Sequence, residues 1–440
     1  MTTRMLRFLL LSVTAITLCL SCADDIASSG EEDKTPARRT IIAYMSGDNN
    51  LSQYLTSDIG EMVTGSKNLP ADCNLIVFAD LGYGRPYIAE LSKGKKTMLR
   101  EYNDEFYCIN PDTMQHIMQW IASEYPASEY ALLLSGHGTG IVNTSDTIPA
   151  ERSMHTLSYG ADTNGGQSGS LTKWINDSEL TRVMQSLTDR DGMPLHFSYI
   201  LFDCCCMQSV ETAYALRHVT DYVIASPAEI PDEGAPYDKL IASMCLPMDQ
   251  APEQIVKDYI HYSEDKNFGG TCLTAIRTSG MQALADATRT AFAEISRNSQ
   301  SATPIELSTQ SCIYYFVNQE RTTIPVYHDI RNVMLRQMQT GLLSEETYRN
   351  VFLPALQQVI IYSAMPQDIS ATGLFDWSSA FIDSEGFQSF NVNSDTYCGI
   401  SIAIPQKIYE NIYSFWRFNV NTSLRNTQWY TAAGWDLLGW

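Results

Sequence analysis

Two short motifs combine nucleophilic and basic side chains with the backbone features that their chemistry needs. Residues 202–207 read FDCCCM, with three consecutive cysteines, and residues 135–139 read SGHGT, with His137 between two glycines. A cysteine thiolate can attack a carbonyl carbon, and an imidazole can generate that thiolate and later protonate a leaving amine. The flanking glycines let a substrate approach the backbone closely. The motifs fit a thiol-dependent hydrolase, but His137 could equally be a turn residue and the cysteines small buried hydrophobes.

Each motif follows an apolar run that has the length and the β-branched or aromatic content of a buried strand. Five such runs occur, at residues 40–45, 74–80, 130–135, 196–203 and 221–226. Residues 111–124, which begin with a proline, and residues 207–219 have the apolar spacing of helices. This alternation predicts an α/β fold with a mostly parallel sheet covered by helices on both faces.

The predicted sheet explains how the two motifs could meet. In such a sheet, the side chains that follow parallel strands lie together at the carboxyl edge. We therefore expect His137 and the cysteine run to be neighbours. The helix predicted at 207–219 would place the cysteines near its N-terminus, where the helix dipole stabilises a thiolate.

The second half of the chain has weaker patterns. Residues 251–263 and 279–297 are predicted to be helical, and residues 395–405 to form a strand. The aromatic end, residues 429–440, is expected to pack against the body of the protein. Because no domain boundary is evident after residue 38, we interpret residues 39–440 as one α/β domain with additional C-terminal elements.

Composition excludes several classes of protein. The 440 residues carry a formal net charge of -21, which disfavours binding to nucleic-acid phosphates. The nine cysteines after residue 22 contain no CxxC pair, so a zinc ribbon or thioredoxin-like site is not expected, whereas one or two disulfides are compatible with the sequence. No P-loop, Rossmann glycine pattern or HExxH motif occurs, and we predict no metal site from the residues themselves.

The N-terminus has the organisation of an export signal. Residues 1–22 contain two arginines followed by an apolar run that is too short to span a bilayer comfortably. The run ends in Leu-Ser-Cys, which resembles a lipobox and predicts lipid attachment to Cys22, although Cys19 stands where the motif usually has Leu. An ordinary signal peptide is the alternative. Residues 23–38 are predicted to be a disordered acidic linker, so we expect a lipid-anchored protein of the bacterial envelope, at the outer membrane or cell surface.

Four blocks of the chain resemble segments of the clostripain family of cysteine peptidases, which share a caspase-like fold with gingipains and legumains. The blocks are residues 41–51 (IIAYMSGDNNL), residues 110–140, which end in YALLLSGHGTG, residues 199–216 (YILFDCCCMQSVETAYAL) and residues 222–240 (YVIASPAEIPDEGAPYDKL). Residues 175–188, 272–283 and 398–405 also resemble segments of the family, so the resemblance spans roughly residues 40–405 in order. It implies a caspase-like α/β fold and a cysteine endopeptidase that acts on proteins or peptides.

The resemblance also implies which residues act. Because Asp203 and Met207 align with the family's Asp and Met, the nucleophile falls on Cys205, and its two cysteine neighbours are expected to be structural and buried. His137 would be the acid/base partner. The main-chain N–H groups of Gly138 and Cys205 would form the oxyanion hole.

Acidic residues near the cysteines bear on substrate choice. The family's counterpart of Asp203 is associated with the pocket for the residue before the cleaved bond, where a carboxylate would pair with Arg or Lys. The alternative is that Asp203 caps the following helix. Glu229, Asp232 and Glu233, in the loop after the next strand, could add negative potential to the same pocket.

Two further implications concern maturation and calcium. Family members are often cleaved between the His and Cys motifs, and Arg152 is the one basic residue of the polar loop 141–170, so we predict self-processing there. Calcium is implied only by the resemblance. Residues 162–173 begin like an EF-hand loop but end in Lys173 rather than Glu, so any calcium site would be irregular.

Two other functions remain open on the sequence. A catalytically inactive relative that binds peptides at the cell surface would keep the same fold. The other hypothesis is a structural or glycan-related lipoprotein. Its support is the predicted anchor and the aromatic-rich C-terminal end, which contains Trp416, Trp429, Trp435 and Trp440. The sequence does not predict an oligomeric state.

Overall fold

Five parallel strands form the centre of the fold in the computed structural model. The structure describes residues 36–141, 148–149, 159–165, 171–266, 271–301, 303–307, 312–318, 324–364, 393–411 and 420–440. Residues Pro36–Trp440 form one compact unit. The predicted lipidation residue Cys22, the predicted processing residue Arg152 and Trp416 lie outside the described residues.

The strands are β1 Ala37–Ser46, β2 Cys73–Asp80, β3 Tyr87–Ser92, β4 Lys95–Glu101, β5 Ala127–Ser135, β6 Ile148–Pro149, β7 Tyr159–Asp162, β8 Leu171–Ile175, β9 Phe197–Asp203, β10 Tyr222–Ala225, β11 Leu273–Arg277, β12 Tyr314–Asn318, β13 Ile324–Asp329, β14 Ile360–Ala364 and β15 Ser401–Ala403.

The α-helices are α1 Ser52–Gly65, α2 Pro111–Glu124, α3 Asp177–Ser186, α4 Val210–Ala215, α5 Tyr237–Met244, α6 Ala251–Lys266, α7 Met281–Asn298, α8 Ile330–Gln339, α9 Glu345–Thr347, α10 Leu353–Val359, α11 Ile408–Asn411, α12 Val420–Arg425 and α13 Gln428–Ala433. Short 3-10 turns occur at Ser66–Asn68, Leu216–His218, Thr278–Gly280 and Trp435–Leu438, and a π-turn at Tyr348–Phe352.

The main sheet has nine strands in the order β14-β11-β10-β9-β5-β1-β2-β3-β4. Strands β10, β9, β5, β1 and β2 are parallel, and an antiparallel pair extends the sheet at each end. Each of the five predicted strands is present, and helices cover both faces. The predicted α/β class with a mostly parallel sheet is confirmed.

The residues of β1 show how one strand serves two cores. Ile42 and Tyr44 face a core that is closed by α2, α3, α4 and α7. Ile41 and Ala43 face the opposite core, which is closed by α1, α5 and α6. Because side chains alternate along a strand, a continuous apolar run fits a strand that is buried on both faces. This burial fixes the register of the strands, and the register positions the loops at their ends.

The C-terminal elements largely follow the predictions. The helices predicted at 251–263 and 279–297 are α6 and α7, whereas β15 covers only three residues of the strand predicted at 395–405. Gly399 adopts a left-handed φ of 73°, which interrupts extended backbone just before β15. Trp429 and Trp435 are fully buried, so the aromatic end packs against the body as predicted.

Two properties bear on the cysteines and the membrane. Eight of the nine cysteines after residue 22 are buried, and Cys205 is half-buried. Among the described residues, no helix combines the length and the apolar character that crossing a bilayer requires.

Candidate active site

The register of three central strands brings the two sequence motifs together. Met45 of β1 pairs with Ser135 of β5, and Ser135 pairs with Asp203 of β9. The loops that follow these strands therefore start at the same level of the carboxyl edge. His137 comes two residues after Ser135 and Cys205 two residues after Asp203, so the predicted convergence of the motifs is present.

The glycines beside His137 are required by close packing between these loops. A Cβ atom on Gly138 would lie 2.6 Å from the carbonyl oxygen of Cys205 and 2.8 Å from Cβ of Cys204. Gly136 has a φ of 147°, and a Cβ there would lie 2.7 Å from the carbonyl oxygen of Ser46. The histidine loop thus rests directly on the backbone of the cysteine turn, and no other residue type would fit.

His137 is half-buried and is oriented by an asparagine for which the sequence analysis assigned no role. Its Nε2 lies 2.7 Å from Oδ1 of Asn50. The preceding residue, Asn49, holds the loop in place: its side chain donates to the carbonyl of Ala161 at 2.7 Å and accepts from the N–H of Leu51 at 2.8 Å. The loop at residues 47–51 (GDNNL), which belongs to one of the blocks that resemble the clostripain family, therefore positions the imidazole of His137.

Cys205 is the one half-buried thiol in the three-cysteine run. Its Sγ accepts a hydrogen bond of 3.4 Å from the N–H of Ile230 and lies 3.9 Å from the carbonyl oxygen of the same residue. Burial first, and then the negative charge of Glu229, raise the pKa of the Cys205 thiol to about 12. The thiol is therefore protonated in this state.

The prediction that a helix N-terminus stabilises the Cys205 thiolate is wrong. Helix α4 begins at Val210 and is capped by Ser209, whose Oγ accepts from the N–H of Thr212 at 3.1 Å. Four residues, 206–209, separate Cys205 from the first turn of this helix. The helix dipole acts only over that turn, so it does not lower the thiol pKa.

The neighbouring cysteines are buried, as predicted. Cys204 donates its S–H to the carbonyl of Leu134 at 3.2 Å. Cys206 has a φ of 60°, a left-handed conformation that non-glycine residues seldom adopt, and its N–H donates to the carbonyl of Ala228 at 2.8 Å. This sharp turn directs the side chain of Cys205 away from the two buried thiols.

His137 and Cys205 line one cleft with an empty volume of about 360 Å³. Three acidic residues also line it, namely Asp58, Asp203 and Asp232, whereas Glu229 and Glu233 do not. The remaining lining residues are Leu51, Leu55, Ser135, Gly136, Ile230, Pro231 and Gly234. The cleft therefore combines a thiol, an imidazole and carboxyl groups within one small volume.

Asp203 forms part of the cleft and does not cap the following helix. Its carboxylate is buried and accepts hydrogen bonds from the hydroxyl of Tyr237 at 2.6 Å, the hydroxyl of Tyr259 at 2.9 Å and the N–H of Ala235 at 3.2 Å. Burial raises its pKa, and these three donors oppose that rise. A Cβ atom on Gly234 would lie 2.7 Å from Oδ2 of Asp203, so the loop packs closely around the carboxylate.

Asp58 of α1 is a cleft residue that the sequence analysis missed. Its side chain is 3% exposed, and the structure shows neither a hydrogen bond nor an ion pair for it within the described residues. Burial, followed by the charge of Asp203, raises the pKa of Asp58 to about 9. The signal was an acidic residue on the apolar face of α1, beside Leu55 and Ile59. Asp58 and Asp203 are called the cleft acids below.

A second acidic group lies beyond the ends of β1 and β2. Asp48, Asp80 and Glu105 have ligand atoms within 4.8 Å of one another, as do Asp80, Cys108 and Asp162. Asp48, Asp80, Glu105 and Asp162 are called the edge acids below. Oxygen-rich groups of this kind suit hard divalent cations.

Comparison with solved structures places this fold among C11 cysteine proteases. A secreted C11 cysteine protease from Bacteroides thetaiotaomicron, solved with an irreversible peptide inhibitor, matches with a TM-score of 0.69 and 24% identity, over 91% of this chain and 99% of that one. An inactive zymogen C11 protease from Parabacteroides distasonis matches with a TM-score of 0.66 and 22% identity, over 91% and 99% of the two chains.

Sequence comparison assigns the family. The sequence model of the clostripain family matches residues 43–436, and the chain therefore belongs to the clostripain family. Clostripain from Hathewaya histolytica is 26% identical over 229 residues, which are 46% of this chain. The match spans 41% of the length of that relative.

Proposed function

We propose that this protein is a cysteine endopeptidase that cleaves protein or peptide substrates after Arg or Lys, with Cys205 as the nucleophile and His137 as the acid/base partner. The observation that carries the proposal is the shared cleft, in which the thiol, the imidazole and the cleft acids converge. Membership of the clostripain family supports the reaction type. Both catalytic residue types are retained, which does not favour the inactive alternative.

The tautomer of His137 follows from its partner. Because the amide oxygen of Asn50 can only accept a hydrogen bond, Nε2 of His137 carries the proton. Nδ1 is then the basic nitrogen. Since the Cys205 thiol is neutral before substrate binds, His137 takes its proton as the sulfur attacks.

The reaction proceeds in two covalent steps. The sulfur of Cys205 bonds to the scissile carbonyl carbon, and the N–H groups of Gly138 and Cys205 stabilise the oxyanion. The tetrahedral intermediate collapses as His137 protonates the leaving amine, which breaks the C–N bond and leaves a thioester. His137 then removes a proton from water, whose oxygen attacks the thioester and releases the acid product and the thiol.

The cleft acids supply the specificity for a basic residue. Asp203 is held by two tyrosine hydroxyls and a main-chain N–H, so it places a negative charge at a fixed position in the wall of the cleft. Asp58 faces the same cleft with no protein donor shown for it. A guanidinium or ammonium group that enters the cleft would give both carboxyls a partner in a site of low polarity, where such pairs are strong.

Fluorogenic peptides that end in Arg, Lys, Gln or Leu test the proposal on the purified protein. We expect turnover of the Arg and Lys peptides and a loss of at least about 10³-fold in kcat/KM for Cys205→Ala. Cys204→Ala is the matched control, because it removes an adjacent thiol that faces away from the cleft, and it should keep most of the activity. Equal turnover of all four peptides would refute the specificity, and equal activity of the two variants would refute the nucleophile.

We also propose that Cys22 carries a lipid anchor in the envelope and that self-cleavage follows Arg152. Support for both comes from the sequence alone. Cys22→Ala should move the protein from the membrane fraction to the soluble fraction, with Cys19→Ala as the control. Mass spectrometry should find a chain end after Arg152 in active protein, and an intact chain with full activity would reject processing there.

A further inference from the structure

Two cysteines that the proposed reaction does not use lie together at the amino ends of the central strands. Cys73 begins β2, and Cys245 directly follows α5. The two residues are buried, with 5% and 4% of their surface exposed. The cleft lies beyond the carboxyl ends of the same parallel strands, so the length of the sheet separates this pair of thiols from Cys205.

The first strand fixes the backbone around both cysteines. Arg39 of β1 is opposite Cys73 in the pairing of β1 with β2. Its Nη1 donates to the carbonyl of Met244 at 2.8 Å and to the carbonyl of Leu246 at 2.7 Å, which are the residues on either side of Cys245. The arginine is fully buried, so these bonds are shielded from water. One side chain therefore holds the end of α5 against the start of the sheet.

A second arginine contacts both cysteines with a single nitrogen. Nη2 of Arg38 donates to Sγ of Cys73 at 3.0 Å and to the carbonyl of Cys245 at 2.9 Å. Its Nε donates to Oδ2 of Asp72 at 2.8 Å, which fixes the plane of the guanidinium. The thiol of Cys245 in turn donates a hydrogen bond to the sulfur of Cys73. The two sulfur atoms are therefore in direct contact.

We propose that Cys73 and Cys245 form a disulfide that joins the start of β2 to the end of α5. Because the two thiols are already in hydrogen-bond contact on backbone that is held in place, side-chain rotation is enough to reach bonding distance. The export signal predicted at residues 1–22 would bring the chain to a compartment in which disulfides form and persist. The disulfide does not depend on the proposed peptidase function.

Cys73 is the thiol that reacts first. The hydrogen bond from Cys245 and the positive charge of Arg38 lower the pKa of the Cys73 thiol, against the opposing effect of burial. The same hydrogen bond, and then burial, raise the pKa of the Cys245 thiol. Oδ1 of Asp72 lies 3.6 Å from the Cys73 sulfur, but this carboxylate is paired with Arg38. Since the thiolate is the nucleophilic form, Cys73 attacks and Cys245 resolves.

The oxidant is itself a disulfide, either of a small molecule or of a thiol–disulfide exchange protein. The Cys73 thiolate attacks one of its sulfur atoms, which breaks the oxidant's S–S bond, expels one thiolate and leaves a mixed disulfide. Cys245 gives its proton to the expelled thiolate, and its sulfur attacks that of Cys73. The oxidant's second sulfur leaves and takes up the proton that Cys73 released. The two cysteines together lose two electrons and two protons, which the oxidant gains.

Peptide mapping of the full chain tests the pairing directly. The folded protein, reduced and then freed of reductant, is incubated with oxidised glutathione, unfolded, blocked with a maleimide and digested. Mass spectrometry should find the peptide that contains Cys73 joined to the peptide that contains Cys245. Arg38→Gln should give the same product at least threefold more slowly, because the thiolate loses its neighbouring cation. Both thiols blocked by the maleimide, or a lasting glutathione adduct on Cys73 beside a free Cys245, would overturn the proposal.

Thermal unfolding with and without reductant gives an independent measurement. Because the bond would close a loop of about 170 residues, reduction of the oxidised protein should lower the unfolding midpoint by about 3–6 °C. Cys245→Ser should abolish this dependence on reductant. Cys272→Ala, at a buried cysteine elsewhere in the fold, is the control and should keep it. An equal response to reductant in Cys245→Ser and in the unaltered chain would show that the stabilising bond is not the one between Cys73 and Cys245.

Discussion

The cleft acids and the edge acids lie at the same edge of the sheet, but their buried carboxylates differ in how many hydrogen-bond donors the protein gives them. Asp203 in the cleft has three donors, two of them tyrosine hydroxyls. Asp80 at the edge has a buried oxygen with none. A pocket that takes a transient cation must remain intact between turnovers, so its main carboxylate is satisfied by protein donors. The edge acids lack that set of protein donors at Oδ2 of Asp80.

Asp203→Asn gives the largest effect that this comparison predicts. Removing the fixed negative charge should lower kcat/KM on Arg peptides roughly 30- to 1,000-fold, because the substrate cation would be buried without its partner. This loss corresponds to about 2–4 kcal/mol of transition-state stabilisation. Turnover of any neutral-ended peptide should not fall. Asp232→Asn, at an exposed acid on the rim of the cleft, is the control and should cost much less. A uniform loss on charged and neutral peptides would assign Asp203 to folding instead.

Asp58→Asn should have a smaller and pH-dependent effect. Because the pKa of Asp58 is raised to about 9, this group is neutral at pH 7 in the free protein and must lose a proton to pair with a guanidinium. That cost falls by about 1.4 kcal/mol per pH unit up to pH 9. KM for an Arg peptide should therefore fall in the unaltered protein as pH rises from 7 to 9. The KM of Asp58→Asn divided by the KM of the unaltered protein should grow from near one to about tenfold over the same range.

The same carboxyl predicts a trend in stability. Between about pH 4 and pH 9 the folded protein keeps a proton on Asp58 that the unfolded chain loses, so this group makes the free energy of unfolding fall as pH rises. Asp58→Asn should flatten that slope in urea titrations at pH 5, 7 and 9. Parallel slopes for the two proteins would show that Asp58 is ionised in the folded state.

Asn50→Ala probes the loop that lies between the two acidic groups. The substitution removes the hydrogen bond that orients His137, so kcat should fall about tenfold with KM nearly unchanged. Asn50→Gln keeps the amide and should restore part of the loss. A rise in KM alone would place Asn50 in substrate binding.

Much of this arrangement could be predicted because it depends on local patterns. Apolar runs identified the five central strands, and the rule that loops meet at the carboxyl edge brought His137 and Cys205 together. Helix α2 has the predicted bounds, since Pro111 and the Asn110 cap are local signals. The helix after the cysteines begins three residues later than predicted. Residues 206 and 208 bond instead to the segment after β10, which is a tertiary interaction that no local pattern encodes.

The unpredicted site residues depend on contacts between distant segments. Asp58 is an acid on an apolar helix face, and only the packing of α1 beside the cleft gives it a role. The edge acids come from four segments, so no spacing rule would find them. Asp162 lies among the edge acids, although the stretch that begins with it lacks the Glu that a calcium loop needs at its twelfth position. The other edge acids are brought to Asp162 by the fold and not by the adjacent sequence.

Tyr259→Phe is the smallest and most discriminating change. It removes the 2.9 Å hydrogen bond to Oδ1 of Asp203 and leaves the donors from Tyr237 and Ala235. If protein donors stabilise the cleft acid, the free energy of unfolding should fall by about 1 kcal/mol, while kcat/KM on Arg peptides changes less than about threefold. Tyr83→Phe, at an exposed tyrosine, should change neither quantity. A large loss of activity at unchanged stability would mean that Tyr259 contacts the substrate instead of stabilising Asp203.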